Sequence, residues 1–434
     1  MVATVHNDLI VYKGSNFFRQ RLLLATLSGR TIKIEEIRST HDDPGLREYE
    51  VSLIRLLDKV TNGTRVELSE TGTSVYYQPG ILVGGQVTHS CSTQRGIGYY
   101  LEILLALGPF CKEPLNAVLQ GVTHSDLDVS VDKIKTTALP VLLKFILVDD
   151  GLELKVVRRG APPLGGGEVV FKCPVRRSLR PLQWTQWGLV KRIRGVVYAL
   201  RVSPTMANRV VDAAKGVSLL NFICPNLLIK SVLYVCKRTH DTGEIPSVML
   251  NFIPDVYINT DQCRGSNAGK SPGFGVSLVA ETNEKTFYCA EATASTLFQK
   301  STDVGTGDIT LPEDLGRECA QRLLDEVYRG GAVDSSFQWL CALWMALGQK
   351  DVSECIVSHS SLDFAKRVLH IGPLSDYTIT FLQHLKEFFG VMFKLEVQRP
   401  DADEESDDDE VAPASKVKMT CVGIGYVNIS KRTL

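Results

Sequence analysis

No two of the eleven cysteines form a CxxC pair, and the closest pair with any spacing pattern is Cys224 and Cys236. That excludes a CxxC zinc knuckle and a dense disulfide framework, and it predicts reduced, mostly buried thiols. His359, His370 and His384 share one region but lack HExxH or facial-triad spacing, so no metal site is assigned and no cofactor is expected. Long apolar runs are missing too. The most membrane-like stretch, 219–235, falls short of roughly 20 consecutive apolar residues and is interrupted by Pro225, Asn226 and Lys230. The opening MVATVHNDLIVYKG has neither the charged start and apolar core of a secretory signal nor the Arg/Ser-rich look of a transit peptide. The expectation is a nuclear or cytosolic protein without membrane contact.

What is present suits a large globular core: 44% hydrophobic and 22% charged residues over 434 positions, enough for two or three domains. The net charge of −1 hides a segregation. Residues 401–410 (DADEESDDDE) hold eight acids, and without them 48 basic residues face 41 acidic ones, a balance of +7. A mildly basic body suits an anionic partner, although such charge is equally the mark of a solvated surface.

Hydrophobic periodicity predicts a repeated unit. In the first 80 residues it reads as a strand at 7–13, a helix at 17–28 ended by Gly29, a strand at 31–38, a helix from Pro44 to Val60, and two strands joined at Thr71-Gly72. The order recurs as a strand at 80–88, helices at 95–107 and 131–146 around a strand at 114–122, and strands at 152–158 and 167–173. A third copy is expected near the C-terminus: a strand at 285–292, an extra helix at 312–329, helices at 333–348 and 375–390, and strands at 391–398 and 416–427. The fold class is therefore α/β (α+β), with three βαβαββ modules in a large domain. Residues 1–180 would hold modules one and two, and 285–434 module three. Residues 181–284 break the pattern and read as a smaller α/β domain inserted before the third module, with 217–250 as an extra insertion inside it. The acidic run falls between the last two strands, as a hairpin loop and not a tail.

Six segments carry a family resemblance: GSNFFRQRLLLATLSGRTIKIEEIR from Gly14, DDPGLREYE from Asp42, RRGAPPLGGGEV from Arg158, RIRG from Arg192, SPGFGVSLVAET from Ser271 and YRGGAVD from Tyr328. In this order the chain resembles the RNA 3'-terminal phosphate cyclases over nearly its whole length, and specifically their cyclase-like branch in eukaryotic ribosome assembly. The resemblance implies the same three modules plus insert. In true cyclases a histidine attacks the α-phosphate of ATP, AMP passes to an RNA 3'-phosphate, and the neighbouring 2'-hydroxyl closes the ring.

The matching positions here lack the groups that chemistry needs. The cyclases' Gly-Pro-x-x-x-His segment is matched by Gly372-Pro373-Leu374-Ser375-Asp376-Tyr377. A phenol with a reference pKa of about 10 keeps its proton at neutral pH, whereas an imidazole near 6.5 offers a free lone pair. The Glu and Gln of their Glu-Gly-Gly-Gly-Gln motif are matched by Tyr12 and Asn16, an Asp-Gln pair by Trp339-Leu340, and a Gln-His pair by Tyr49-Glu50. The resemblance thus implies a nucleolar, non-enzymatic factor of the small-subunit processome and 18S rRNA biogenesis. Its implied partners are precursor rRNA and a ribosome-assembly GTPase.

Other residues are candidates from their own pattern. The glycine triplet Gly165-Gly166-Gly167 after Arg158-Arg159 sits in a strand-turn-strand setting where N–H groups and guanidiniums could converge on a phosphate; a wide hairpin turn would look the same. Arg19, Arg38 and Arg47 could be remnants of a nucleotide-phosphate pocket now turned to RNA, or ordinary surface ion pairs. Lys191, Arg192, Arg194 and Arg201 alternate with apolar residues, as on a half-buried strand with a basic outer face. His124 and Asp126 resemble an acid/base pair but fit helix capping better. An endonuclease acting on precursor rRNA would need a constellation such as Asp334, Arg329 and Asp376. Two stretches, 217–250 and 355–371, depart from the family pattern.

Overall fold

The computed structural model describes residues 9–147, 150–221, 255–294, 311–358, 374–398 and 416–428. The acidic run at 401–410, most of 217–250, Gly372-Pro373, His359 and His370 lie outside them.

The first module runs β1 (Ile10–Lys13), α1 (Phe18–Ser28), β2 (Ile32–Glu35), α2 (Glu48–Val60), β3 (Thr61–Asn62), β4 (Arg65–Leu68) and β5 (Val75–Gln78). β6 (Ile81–Leu82) pairs with β3 at the exit. α1 ends where Gly29 takes a left-handed φ of 72° and donates its N–H to the Ala25 carbonyl at 2.9 Å. α2 begins at Glu48, not at Pro44. Gly45, at φ 88°, breaks the chain there, and the Glu50 carboxylate accepts from the Arg47 N–H at 2.8 Å to start the helix.

The second module repeats the order with β7 (Gly84–Ser90), α3 (Ile97–Leu107), β8 (Glu113–Gly121), a helical run α4 (Val131–Lys133) and α5 (Leu139–Ile146), then β9 (Glu153–Arg158) and β10 (Gly167–Cys173). A π turn, Ile134–Ala138, separates α4 from α5 just before Pro140, whose missing N–H leaves the α ladder one donor short.

The third module opens with a two-residue strand, β11 (Gln183–Trp184), before the inserted unit begins. That unit comprises β12 (Val190–Leu200), α6 (Pro204–Asn221), β13 (Asp255–Cys263), β14 (Gly273–Thr282), β15 (Phe287–Thr293) and α7 (Pro312–Arg329). The module then resumes with α8 (Gln338–Leu347), β16 (Val352–Ser358), α9 (Asp376–Phe389), β17 (Lys394–Gln398) and β18 (Lys416–Val422).

All three module sheets share one topology: β1-β2-β5-β4, β7-β8-β10-β9 and β11-β16-β18-β17, the first pair parallel and the others antiparallel. The first helix of each module is buried almost all round. Every residue of α3 and α8 is buried, as are nine of the eleven in α1. A helix apolar on all sides belongs in the centre, and α1 packs on α3 and α9 while α8 packs on α5 and α9.

Two expectations are corrected. The strand expected at 285–292 and the helix at 312–329 belong to the inserted unit, because β15 pairs with β14 (Val279↔Cys289) and α7 packs on α6, β14 and β15. The insertion also interrupts the third module after its first strand instead of preceding it, since Gln183 of β11 pairs with Glu354 of β16. A two-residue strand carries too little periodicity to be read from sequence. Of the departure placed at 355–371, residues 355–358 are described: Cys355 and Val357 are fully buried in β16, the central strand that pairs β11 with β18.

Candidate functional site

α1, α3, α8 and α9 meet around Tyr377, the residue that the sequence resemblance matches to the cyclases' histidine. Tyr377 is the second residue of α9, whose start is fixed by Ser375 accepting from the Thr378 N–H at 3.2 Å. Its hydroxyl accepts from Arg19 Nη2 at 3.1 Å and its carbonyl from Gln20 Nε2 at 3.0 Å. Arg19 also donates to the Tyr99 carbonyl at 3.2 Å and forms an ion pair with Glu102, the lone acid of α3. Burial opposes the Arg19 charge, but the Glu102 carboxylate holds the guanidinium protonated. Burial also raises the Tyr377 phenol, which keeps its proton.

Aromatic rings close this pair in. The Arg19 guanidinium lies 4.9 Å from the Tyr99 ring centre, 5.7 Å from Tyr377 and 6.0 Å from Trp339. Trp339 meets Tyr377 edge-on at 5.8 Å and Phe381 at 5.1 Å. His384, one of the histidines without a role in the sequence, is buried beside them. Its Nδ1 lies 3.1 Å from Gln20 Oε1, its ring stands edge-on to Tyr12 at 5.5 Å, and burial lowers it to about 4. Tyr12 in turn donates to Glu387 Oε2 at 2.5 Å. Of the matched positions, Tyr12, Trp339 and Tyr377 thus gather in one packed cluster, and Leu340 is fully buried in α8. The described contacts of Asn16 assign it no partner in that cluster.

A second group forms around Glu50, which takes two bonds from Arg38 at 2.7 and 2.8 Å, while Tyr49 Oη lies 3.4 Å from the same guanidinium. Arg47 donates its backbone N–H to Glu50 and pairs its side chain with Asp43. Arg38 through its guanidinium and Arg47 through its backbone N–H thus meet at this carboxylate. Both guanidiniums have carboxylate partners.

Arg159 faces inward. Its Nη1 donates to Asp132 Oδ2 and its Nε to Asp261 Oδ2, each at 2.6 Å, tying module two to the inserted unit. His124 Nε2 lies 3.0 Å from Asp132, and its ring packs 4.3 Å from Tyr198. Burial would raise the Asp132 carboxyl, but His124 and Arg159 together hold it well below the usual carboxylate range. The glycine triplet closes this same joint. Gly165 and Gly166 have φ of 61° and 83°, and the Gly165 carbonyl accepts from the Lys270 N–H at 2.9 Å. A Cβ at Gly269 would come within 2.4 Å of that oxygen. Gly167 opens β10 opposite Gly121. Arg158 alone points outward, 3.8 Å from Glu168.

The nuclease constellation is only partly assembled. Arg329 donates to Glu326 at 3.2 Å, and Glu326 accepts from Ser335, beside a cleft of about 430 Å³ lined by module two, the inserted unit and Ser335-Ser336. Asp334 is buried with both oxygens engaged, by Ser336 N–H at 3.0 Å and Cys289 N–H at 2.9 Å, and Lys133 lies 3.2 Å away. Asp376, in the first turn of α9, is not among the cleft's residues. Asp126 lines the cleft, whereas His124 does not, so those two form no pair. In the inserted unit Arg192 pairs with Glu281, Arg194 with Asp255, and Arg201 donates to the Gly269 carbonyl. Lys191 is exposed.

Among the described residues, no group of three His, Cys, Asp or Glu side chains is placed to hold a metal ion, and no helix is long and apolar enough to cross a membrane. Sequence reasoning missed Glu102 and Gln20. The signal for Glu102 was there, since one acid in the otherwise apolar IGYYLEILLAL must find a cation when that helix is buried.

Three sheets thus share one topology, and a fourth sheet is inserted within the third module. The family description "RNA 3'-terminal phosphate cyclase" matches residues 10–395, and the chain belongs to this family. It is 53% identical to a probable RNA 3'-terminal phosphate cyclase-like protein of Drosophila melanogaster, over 98% of both chains. It is 52% identical to the human RNA 3'-terminal phosphate cyclase-like protein, over 97% of both. A more distant relative, at 38% identity over 97% of both chains, is the rRNA processing protein rcl1 of Schizosaccharomyces pombe.

Proposed function

We propose that this protein is a non-enzymatic factor in rRNA processing, acting in the nucleolus on the small-subunit (18S) precursor and binding precursor rRNA and a ribosome-assembly GTPase. The observation that carries the reading is the packing around Tyr377, which the resemblance matches to the cyclases' nucleophile. Tyr377 is held by Arg19, Arg19 is neutralised by Glu102, and Trp339 covers both. Nucleotidyl transfer needs an unprotonated nucleophile in line with the α-phosphate, and cations left free for the triphosphate. A protonated phenol bonded to a neutralised arginine supplies neither. The fission-yeast relative's name supports rRNA processing as the retained role.

Purified protein incubated with magnesium and ATP labelled at the α-phosphate is expected to form no covalent adduct, and Tyr377→His alone is expected not to restore 2',3'-cyclic ends. A stable AMP–protein band from the wild-type chain overturns the reading. Immunoprecipitation from nucleolar extract is expected to recover the small-subunit precursor rRNA together with a GTPase. The occupied oxygens of Asp334 and the separation of Asp376 weigh against the nuclease alternative; site-specific cleavage of precursor RNA by the purified chain would reinstate it.

A further inference from the structure

Many exposed cations here have carboxylate partners, such as Lys13 with Glu36, Lys172 with Glu153, Arg209 with Glu313 and Lys394 with Glu396. The crossing from module two to module three is different. After β10 the chain runs through PVRRSLR, with Arg177 and Arg180 exposed, Arg176 half-buried and Leu179 fully buried as an anchor. Exposed Lys112 and Lys350 flank this run. Among the described residues Lys112, Arg177, Arg180 and Lys350 have no ion pair. The nearest acids in sequence are Glu113 and Asp351.

Backbone bonds hold the five together. The Arg176 N–H donates to the Pro109 carbonyl at 2.8 Å, and the Arg180 N–H to that of Phe145 at 3.1 Å. The Gln349 N–H, beside Lys350, donates to the Leu179 carbonyl at 3.1 Å. Asn428 joins the other side, donating its N–H to the Arg177 carbonyl and its Nδ2 to that of Cys111, both at 2.9 Å. The backbone that carries the cations is therefore fixed as one ridge, so that only their side chains need ordering on a ligand.

We propose that this ridge, Lys112, Arg176, Arg177, Arg180 and Lys350, grips the phosphate backbone of RNA without reading its bases. The inference rests on the RNA-binding reading above and gives it a location, away from Arg159 and the glycine triplet, whose groups are spent on the interdomain joint. Two features favour RNA over an acidic protein segment. Three of the five are arginines, whose planar forks suit phosphate oxygens. Residues 109–113, 174–182 and 348–351 also expose no large apolar side chain, the usual centre of a protein interface. Exposed aromatic platforms for stacking bases are likewise absent from these segments, so contact is to the backbone and tolerates any sequence.

The test is a salt titration of binding to a fluorescein-labelled 20-nucleotide single-stranded RNA of mixed sequence. The variant Lys112→Gln/Arg177→Gln/Arg180→Gln/Lys350→Gln should make the log–log salt slope less negative by up to about 2.8, at roughly 0.7 per phosphate contact, and weaken binding at 0.1 M salt at least tenfold, at about fivefold per contact. The pair Lys112→Gln/Lys350→Gln should give about half that slope change, about 1.4, which keeps the test usable if the fourfold variant folds poorly. Lys172→Gln/Arg209→Gln, two exposed but paired cations, should leave the slope in place. Wild-type binding with an unchanged slope in both ridge variants overturns the ridge alone. No RNA binding by the wild-type chain overturns the RNA-binding reading and the ridge with it. Ridge variants that lose affinity for poly-L-glutamate but not for RNA overturn the proposal in favour of an acidic protein partner.

Discussion

Two buried arginines organise this protein, and they are neutralised differently. Arg19, in the aromatic pocket around Tyr377, has one carboxylate, Glu102, and three aromatic rings. Arg159, in the joint to the inserted unit, has two carboxylates and a neighbouring histidine. The first is sealed inside the module core, while the second reaches out to Asp261, whose side chain is 43% exposed. A cation in the core must be matched within the core. One at a domain boundary can borrow a partner that water also reaches, and losing that partner costs less.

The sharpest way to break the comparison is Arg19→Ala, which leaves Glu102 buried without a counter-charge. Denaturant unfolding should show a loss of about 3–5 kcal/mol, whereas Arg19→Met with Glu102→Leu should recover most of it. A single variant within about 1 kcal/mol of wild type would mean the pair is not sealed from water. In the joint, Asp132→Asn should cost about 2–4 kcal/mol, because it uncouples a buried guanidinium, and Asp261→Asn about 1 kcal/mol or less. Equal losses from the two aspartates would erase the distinction between sealed and borrowed partners.

Acid separates the two regions on another axis. His384 beside the pocket is lowered to about 4, so between its ordinary 6.5 and 4 the unfolded chain binds a proton that the folded one refuses. Its contribution is complete above about 6.5 and lost as pH falls toward 4. Asp132 is also lowered, and its contribution disappears only below its ordinary 3.8. The thermal midpoint should therefore fall between pH 7 and 4.5 through His384 and through His89, which burial also lowers to about 4, and His384→Gln should flatten that fall by roughly 2–4 °C. An unchanged pH profile in this variant would remove His384 from the account. The smallest effect is expected at Arg158→Ala, within about 0.5 kcal/mol of wild type, because its contact to Glu168 is long and exposed.

Much of the fold was legible because the chain punctuates its helices plainly. Gly29 and Gly390 end α1 and α9 in left-handed turns, and the periodicity located α3, α5 and α7 within a few residues. What was not legible was membership. β15 and α7 follow the same strand-then-helix order as a module, and only hydrogen bonding to β14 assigns them to the insert. The site divides the same way. Tyr12, Trp339 and Tyr377 could be named from the family pattern and Arg19 from its own, and the structure places them together across more than 350 residues of chain. Arg159 looked like an anion ligand because its partners, Asp132 and Asp261, lie far from it in sequence, so its neutralisation could not be read there.

The placement of β11 bears on how the chain is made. Gln183 must wait 171 residues for its partner strand, whereas each of the first two sheets draws its strands from one continuous stretch. At a synthesis rate of roughly 5–20 residues per second, β11 and Trp184 spend about 10–30 s without their neighbour while the whole inserted unit emerges. Closure of the third sheet is then the late, high-contact-order step of assembly. During that interval the nascent chain presents two finished modules and an apolar α1 and α5 surface awaiting α9 and α8.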